Sequence, residues 1–313
     1  MKVFIAGGSG AIGRRLIPLL VTAGHEVVAT TRTPVKTSTL EHLGAKPVVL
    51  DGLDRARVLD AVLTARPEVI VHQMTDLASM RDLKHVDREL ATTNRLRTEG
   101  AEFLLEAARR AGARAFIAQS YATWLSARGA RVQTEEVPIE TSLPPAARRT
   151  VETIASLERR VAGAPDIVGI ALRYGNFYGP GTALSLDGEM TRLVRKRKFP
   201  IIGDGAGVFS FIHIDDAARA TAAAIERTPP SGVYNIVDDD PAEVAVWIPE
   251  LARALGAPEP RRVPVWLGRL FVGEPGIYLM TRVRGWSNEK ARREMGWRPA
   301  LRSWREGFRT ALG

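Results

Sequence analysis

The first two-thirds of the chain alternate short apolar runs with segments of helical periodicity. The apolar, β-branched runs predict six strands, at residues 2–6, 26–31, 46–50, 69–72, 115–119 and 167–173. Helical periodicity predicts helices between them, near residues 11–23, 54–65, 82–111 and 146–162. Strands and helices in strict alternation are typical of an α/β fold, in which a doubly wound parallel sheet is covered by helices on both faces.

After residue 173 the pattern loosens into glycine- and proline-rich turns, and a strand and a helix return in the segment FSFIHIDDAARATAAAI. This change predicts two domains. We expect a dinucleotide-binding domain of Rossmann type at residues 1–173 and 208–237. A smaller, discontinuous C-terminal substrate domain is expected at residues 174–207 and 238–313, over the carboxyl edge of the sheet.

The composition is that of an ordinary globular protein, with 45% hydrophobic and 25% charged residues in a chain of 313. Cysteine is absent, which excludes disulfides and thiolate metal sites. No apolar run approaches the length of a membrane span. The five histidines lack the spacing of metal ligands, and the acidic run at residues 238–240 is expected to be a solvated turn. We therefore expect a cytoplasmic protein with no membrane partner and no metal.

The formal net charge of +9 raises the question of a nucleic-acid partner, since residues 192–198 (RLVRKRK) form a dense basic run. The 37 arginines and 7 lysines are, however, spread along the whole chain, and no aromatic residues interrupt the basic run. We expect no nucleic acid. A phosphorylated cofactor or an acidic small-molecule substrate explains the charge at least as well.

The first predicted strand runs into GGSGAIG, which places three glycines directly before a helix. Glycines at this spacing permit a tight turn, a close approach of the backbone to a pyrophosphate, and close packing of helix on strand. The position between a first strand and a helix is the context that dinucleotide binding requires. The predicted phosphate-binding residues are Gly7, Ser9, Gly10, Ala11, Ile12 and Gly13.

The same loop is similar to a nucleophile elbow, in which Ser9 would be the nucleophile of a hydrolase. That turn normally follows a later strand and has acid and histidine partners downstream, and it gives Gly13 no role. The dinucleotide interpretation is therefore favoured.

The end of the second strand distinguishes NAD from NADP, because an acidic residue there would bind the ribose hydroxyls of NAD. No acid occurs between Glu26 and Glu41, and Arg32 follows the strand. A guanidinium suits a 2′-phosphate, so NADP is predicted and NAD is the alternative. Asp51 and Gly52, after the third strand, are predicted to contact the adenosine, although Asp51 could also cap the next helix.

Five motifs in a fixed order resemble the extended short-chain dehydrogenase/reductases, and in particular the NAD-dependent epimerase/dehydratase family. They are GGSGAIG, LLEAARRAGARAFIAQS, ALRYGNFYGPGT, FIHIDDAARA and MGWRPA, and they cover essentially the whole chain. The resemblance implies a cofactor across the carboxyl edge of the sheet and, as is common in this family, a homodimer. Its further cofactor-binding residues here are Gln73, Met74, Gln119, Tyr174, Gly175 and Asn176. His213 matches a family motif in which a scaffold role is expected.

The family's chemistry uses a tyrosine and a lysine four residues later on one helix face, where the ammonium charge lowers the pKa of the phenol. None of the five tyrosines in this chain is followed at that spacing by a lysine. The register of the helix PPAARRTVETIASLERRV against the family places Thr150 and Ile154 at the two positions. Neither can replace a phenol or a cation.

A substitute acid lies at the end of the fifth strand, in AQSYATW. Tyr121 matches a position where the family places a serine or threonine that binds substrate oxygen. We predict that Tyr121 donates a proton or stabilises an oxyanion, with Ser120 and Thr123 nearby and Arg148 or Arg149 as the cation. A plain substrate-lining role for Tyr121 is the alternative.

The sequence thus predicts an NADP-dependent oxidoreductase of an atypical kind, which transfers a hydride between nicotinamide and a carbonyl or alcohol carbon of a small organic substrate. An epimerase or dehydratase on a sugar nucleotide or related metabolite is the second hypothesis. A catalytically silent cofactor-binding sensor or scaffold is the third.

Overall fold

A computed structural model describes residues 1–77, 82–140 and 143–312 of the chain. The strands within these ranges are β1 (Lys2–Ala6), β2 (Glu26–Thr31), β3 (Lys46–Val49), β4 (Val69–His72), β5 (Ala115–Tyr121), β6 (Val132–Gln133), β7 (Val168–Tyr174), β8 (Asn176–Tyr178), β9 (Ile201–Ile202), β10 (Val208–Phe209), β11 (Phe211–His213), β12 (Gly232–Ile236), β13 (Ala242–Glu243), β14 (Arg262–Val263) and β15 (Gly285–Trp286).

The α-helices are α1 (Gly13–Thr22), α2 (Thr37–His42), α3 (Arg55–Ala65), α4 (Val86–Glu89), α5 (Ala91–Arg95), α6 (Ala101–Ala111), α7 (Pro145–Ala162), α8 (Glu189–Arg195), α9 (Ile214–Arg227), α10 (Val244–Ala254), α11 (Val265–Thr281), α12 (Glu289–Glu294) and α13 (Trp304–Leu312). Two short 3₁₀ turns lie at Pro34–Lys36 and Leu83–His85, and a π-helical turn at Leu96–Gly100 joins α5 to α6. None of the described helices is both long and apolar enough to cross a membrane.

Seven parallel strands form one sheet in the order β12-β7-β5-β4-β1-β2-β3. Successive side chains of a strand face opposite sides of a sheet, so the continuous apolar run of β1 serves two cores at once. Val3 and Ile5 pack with α1 and α9, whereas Phe4 and Ala6 pack with α3, α6 and α7. The predicted doubly wound α/β fold is confirmed.

All six predicted strands occur, and their observed ends differ from the predicted ones by two residues or fewer. The sequence analysis did not separate β12, which follows a Pro-Pro turn and adds the seventh strand beside β7. The single helix predicted at residues 82–111 is wrong in detail. It is broken into a 3₁₀ turn, α4, α5, the π turn and α6, and the Leu96 carbonyl of the π turn is bonded to His72 at the end of β4.

Much of the sequence after β7 belongs to a smaller apolar cluster built on two-stranded pairings such as β8–β11 and β10–β13. Trp247, Phe211 and Trp304 are fully buried at its centre. The two domain boundaries stay a prediction. The packing places this cluster next to the ends of β5 and β7, where the polar side chains of the candidate site lie.

Candidate active site

The glycine loop after β1 is shaped by contacts that leave no room for side chains. Gly7 has φ +93°, and a Cβ there would lie 2.8 Å from the carbonyl carbon of Gln73. A Cβ at Gly13 would lie against the carbonyl oxygen of Gly8, inside any van der Waals contact. Helix α1 begins at Gly13 without a side-chain cap, and the Arg14 and Arg15 N–H groups donate to the carbonyl oxygens of Gly10 and Ile12.

The remaining predicted residues of the loop differ in exposure and bonding. Ser9 donates from Oγ to Thr31 Oγ1 at 3.0 Å, which ties the loop to the end of β2. Gly10 is exposed, Ala11 is half-buried and Ile12 is buried in the core.

The adenosine side of the site carries Arg32, which is 61% exposed and lies 3.8 Å from a carboxylate oxygen of Asp76. Asp51 is also exposed, and its Oδ1 accepts the Leu53 backbone N–H at 3.0 Å. The alternative role of Asp51 as a helix cap is wrong, because Asp54 accepts the N–H of Arg57 at 3.1 Å and caps α3. Gly52 is packed against the thioether of Met74, so a side chain there would collide with it.

His72 at the end of β4 connects the cofactor strand to the π turn. Its Nε2 donates to the Leu96 carbonyl oxygen at 3.0 Å and its Nδ1 accepts the Met74 N–H at 3.2 Å, which is the bonding of a neutral imidazole. Burial lowers the pKa of His72 to about 4, with a smaller contribution from the charge of Arg97. His72 is therefore a neutral structural link at physiological pH.

Gln73, Met74 and Gln119 lie side by side at the carboxyl edge. Gln119 Nε2 donates to the Met74 carbonyl oxygen at 3.4 Å, and all three side chains are more than nine-tenths buried. Gln73 Nε2 donates to Tyr174 Oη at 3.1 Å, whereas Gln73 Oε1 has no partner among the described residues. An unsatisfied buried amide oxygen beside the glycine loop is consistent with a site that completes its bonding with a ligand.

The predicted nicotinamide loop consists of two buried residues, Tyr174 and Gly175, and the half-buried Asn176. Tyr174 is 1% exposed, and its hydroxyl also bonds Thr221 Oγ1 at 2.7 Å, so its ring belongs to the core. Gly175 is pressed against the Ser210 carbonyl, 2.7 Å from where its Cβ would lie. Asn176 is fixed by a bond from Nδ2 to the Ser210 carbonyl oxygen at 3.0 Å.

Tyr121, Thr123 and Asn176 form one hydrogen-bonded cluster where β5 and β7 end. Tyr121 Oη donates to Asn176 Oδ1 at 3.1 Å, and Thr123 Oγ1 donates to the same oxygen at 3.2 Å. Burial raises the pKa of Tyr121, while a hydrogen bond with Thr123 and the charge of Arg97 oppose the rise. The phenol is therefore protonated at neutral pH and holds a proton that it can donate.

Ser120, the neighbouring predicted residue, points the other way. It is 2% exposed and donates from Oγ to Glu158 Oε1 at 2.6 Å. Glu158 also receives two bonds from the guanidinium of Arg173, at 2.9 and 2.6 Å. Ser120 is thus part of a buried network that joins β5, β7 and α7.

Thr150 and Ile154 both lie on the buried face of α7. Thr150 donates from Oγ1 to Asp87 Oδ1 at 2.7 Å and accepts from Asn94 Nδ2 at 3.0 Å, and its backbone N–H also donates to Asp87 at 2.8 Å. Thr150 therefore anchors α7 to α4 and α5. Arg148 and Arg149, predicted as nearby cations, are exposed on the helix and face away from the core.

The cation near Tyr121 is Arg97, which the sequence analysis missed. It lies on the π turn and is 3% exposed. A signal was present in the sequence, because Thr93, Arg97, Ala101 and Leu104 share one helical face and the other three are small or apolar. Among 37 arginines this position did not stand out.

Two further predictions concerned His213 and the acidic run at residues 238–240. His213 caps α9, with Nδ1 accepting the Asp215 N–H at 3.3 Å, and its ring packs edge-on against Tyr178.

The expected solvated turn at residues 238–240 is wrong for Asp238, which is 1% exposed and accepts the Trp304 N–H at 2.8 Å. Burial raises the pKa of Asp238. The described residues contain no group of three potential metal ligands.

Sequence comparison places this geometry among known proteins. The sequence profile of the NAD dependent epimerase/dehydratase family matches residues 3–237. The chain is 43% identical over 309 residues to a 3-diazoavenalumate denitrifying reductase of a Streptomyces species, covering 98% of this chain and 99% of that protein. It is 25% identical over 316 residues to a 4-hydroxy-2-methyl-3-oxo-4-farnesyl-3,4-dihydroquinoline-1-oxide ketoreductase of Stigmatella aurantiaca, covering 95% of this chain and 92% of that protein.

The fold also matches solved structures. A UDP-glucose 4-epimerase of Thermotoga maritima superimposes with a TM-score of 0.78 at 22% identity, covering 100% of this chain and 97% of that one. The match over most of the chain, together with a relative at 43% identity, assigns the sequence to one family. The protein belongs to the NAD dependent epimerase/dehydratase family and is an NAD(P)-dependent oxidoreductase or epimerase.

Proposed function

We propose that the protein is an NADP-dependent reductase that transfers a hydride from the nicotinamide to a small organic substrate, with Tyr121 as the proton donor. The observation that carries the proposal is the Tyr121–Thr123–Asn176 cluster at the ends of β5 and β7. Two neighbouring tyrosines, Tyr174 and Tyr178, are instead buried in the cores. A protonated phenol at this edge is the group that could complete the reduction of a carbonyl.

In this mechanism the cofactor supplies the hydride, and the protein's residues orient the reactants and deliver the proton. The glycine loop and the N-terminus of α1 hold the pyrophosphate. Tyr121 gives its Oη proton to the substrate oxygen as the hydride reaches the carbon. Thr123 and Asn176 hold the phenol and the substrate oxygen in register.

Two observations support the finer assignments. Arg32 is exposed at the end of β2 with no acid beside it on that strand, which favours the 2′-phosphate of NADP. A small cavity next to Thr123 and Asn176 is also lined by Arg284, whose Nε has no hydrogen-bond partner among the described residues. A cation there favours a substrate that carries a carboxylate or another anionic group.

Reduction of a diazo group is a second candidate, because the relative at 43% identity is a reductase of a diazo compound. Hydride addition to the terminal nitrogen of an aryl diazonium gives a diazene, which loses dinitrogen and leaves hydrogen on the ring carbon. This reaction oxidises the nicotinamide by one hydride and delivers no proton to an oxygen. The lack of any tyrosine–lysine pair at the family's spacing suits such a reaction.

The decisive experiment compares Tyr121→Phe with the wild type on two substrates, an aromatic ketone carboxylate and an ortho-hydroxy aryl diazo carboxylate, with NADPH oxidation as the readout. We expect carbonyl reduction to fall by about 100-fold or more, because the proton donor is lost. Diazo reduction should fall by less than about 10-fold, because there the phenol only positions the substrate.

Thr123→Val is the matched control, since it removes the second donor to Asn176 and leaves the phenol in place. Carbonyl turnover that survives Tyr121→Phe unchanged would refute the role of Tyr121. Isomerisation of a sugar nucleotide with no net cofactor change would instead establish an epimerase.

The cellular setting is also a proposal. The family resemblance and the absence of cysteine favour a cytoplasmic homodimer. Analytical ultracentrifugation of the full chain would test the dimer, and a monomer at micromolar concentration would contradict it.

A further inference from the structure

Arg97 occupies a position where a charged side chain is costly. It lies on the π turn that interrupts the helix between α5 and α6, a local distortion that is often found at functional sites. Its side chain is 3% exposed, and Tyr121 on β5 and Glu158 on α7 act on its charge. Taking a guanidinium out of water is costly unless partners compensate for the lost hydration.

Among the described residues, two nitrogens of the Arg97 guanidinium lack the hydrogen-bond partners that would offset this cost. Arg97 Nε and Nη1 are buried and have no hydrogen-bond partner there. Glu158 is the carboxylate that acts on its charge, but both Glu158 oxygens already accept bonds from Arg173, and Ser120 donates to one of them. More than nine-tenths of buried donors in proteins are satisfied, so this exception calls for a functional reason.

Three groups interact electrostatically with Arg97, and they come from β4, β5 and α7. Tyr121 on β5 and Glu158 on α7 attract its charge, and the charge in turn contributes to the lowered pKa of His72 on β4. Arg173 on β7 is paired with Glu158, and Asp87 is bound to Thr150. Burial lowers the pKa of Arg97 to about 10, so the side chain is still a cation at neutral pH.

The facing side of α7 explains why this cation is needed. Ile154 is 1% exposed on that side, one turn before Glu158, and it carries no charge. The only charge that α7 itself contributes there is the neutralised carboxylate of Glu158. A phenol that loses its proton at the end of β5 would therefore be stabilised by the charge of Arg97, which acts on Tyr121 from the π turn.

We propose that Arg97 is a positioning residue for the reduction, supplying from the π turn the positive charge that α7 lacks and stabilising the Tyr121 phenolate as the phenol gives its proton to the substrate oxygen. The proposal rests on the proposed role of Tyr121 as proton donor. The proton moves from Tyr121 Oη to the substrate oxygen, the hydride moves from the reduced nicotinamide to the substrate carbon, and a solvent proton restores the phenol.

The test uses the full-length enzyme with NADPH and the ketone carboxylate. Arg97→Met removes the charge at similar length, and Arg97→Lys keeps it. Arg95→Met is the matched control, because Arg95 lies two residues earlier, is 54% exposed and is paired with Glu99, so the same change in net charge occurs outside the site. The readouts are kcat and KM against pH, and the tyrosinate absorbance difference between each enzyme and its Tyr121→Phe counterpart.

We expect Arg97→Met to lower kcat by about 10- to 100-fold and to move the alkaline limb and the Tyr121 titration upward by about one pH unit or more, because an adjacent cation is lost. The KM for NADPH should stay within about 2-fold. Arg97→Lys should keep kcat within about 5-fold of wild type, and Arg95→Met should match the wild type.

The proposal is overturned if folded Arg97→Met keeps the wild-type pH profile, or if Arg97→Lys falls as far as Arg97→Met. If Arg97→Met does not fold, the wild-type titration decides: Tyr121 must ionise before Tyr174, whose pKa burial raises to about 12. If Tyr121→Phe removes no such early titration, Arg97 has no such role. Undiminished carbonyl reduction by Tyr121→Phe instead refutes the proposed function itself.

Discussion

The glycine loop after β1 and the helix α7 both lie at the carboxyl edge of one sheet, but different forces hold them. The loop is held by backbone contacts so close that Gly7 and Gly13 admit no side chain. Helix α7 is held by side chains, with Thr150 bonded to Asp87 and Asn94 and Ile154 packed in a core. The glycine loop therefore tolerates little change in sequence. Helix α7, in contrast, can keep its position on the sheet when the residues that would take part in catalysis are replaced.

Substitution in the loop should have the largest effect on the fold. In Gly13→Ala the new Cβ meets the backbone of Gly8, which cannot move aside, so we expect a loss of about 3 kcal/mol or more in unfolding free energy and little NADPH binding. Urea unfolding and calorimetric titration with NADPH measure the two effects. Gly10→Ala is the control, because its Cβ would lie 3.2 Å from the Gly7 oxygen and asks for only a small shift.

A Gly13→Ala protein as stable as Gly10→Ala would show that backbone packing does not define the loop.

Thr150→Val tests the opposite side of the comparison. It keeps the shape of the side chain but leaves Asp87 and Asn94 without their shared partner, so we expect a loss of about 2 kcal/mol in unfolding free energy. Turnover per folded molecule should change by less than about 2-fold, because Thr150 anchors the helix and does not transfer a proton. Thermal unfolding and kcat at a temperature well below the transition measure both.

Thr153→Val is the matched control on the same helix, because Thr153 bonds only the Arg149 carbonyl of the preceding turn. A loss of kcat in Thr150→Val that exceeds its loss of folded protein would return Thr150 to the list of catalytic residues.

Arg32→Ala should have the smallest effect of these substitutions, and it tests the assignment of NADP as the preferred cofactor. Its exposed guanidinium is replaced without loss of packing, so the fold should be unaffected. We expect the Kd for NADPH to rise by about 10-fold, which corresponds to about 1.4 kcal/mol, and the Kd for NADH to change little. Parallel calorimetric titrations measure this preference, with Arg57→Ala as an exposed arginine control. Equal weakening of both cofactors would contradict the assignment of Arg32 to the 2′-phosphate.

The strands of the sheet could be predicted from the sequence because the apolar runs of β1, β4 and β5 are local signals. They can be recognised without knowing which strands pair with each other. It did not find that Ser120 and Tyr121 point in opposite directions, although alternation along a strand makes this natural. Asp238 is buried because the start of α13 binds it, and that partner lies 66 residues away.

The sequence by itself determined the α/β alternation, the glycine loop and the lack of a tyrosine–lysine pair, since each is a matter of residue type and short-range spacing. Only the tertiary structure decided which charge lies beside Tyr121. Arg148 and Arg149 are exposed on α7, whereas Arg97 is buried on the π turn and its charge acts on Tyr121. Which side chains meet depends on how helices pack over the sheet, and no local pattern in the chain records that packing.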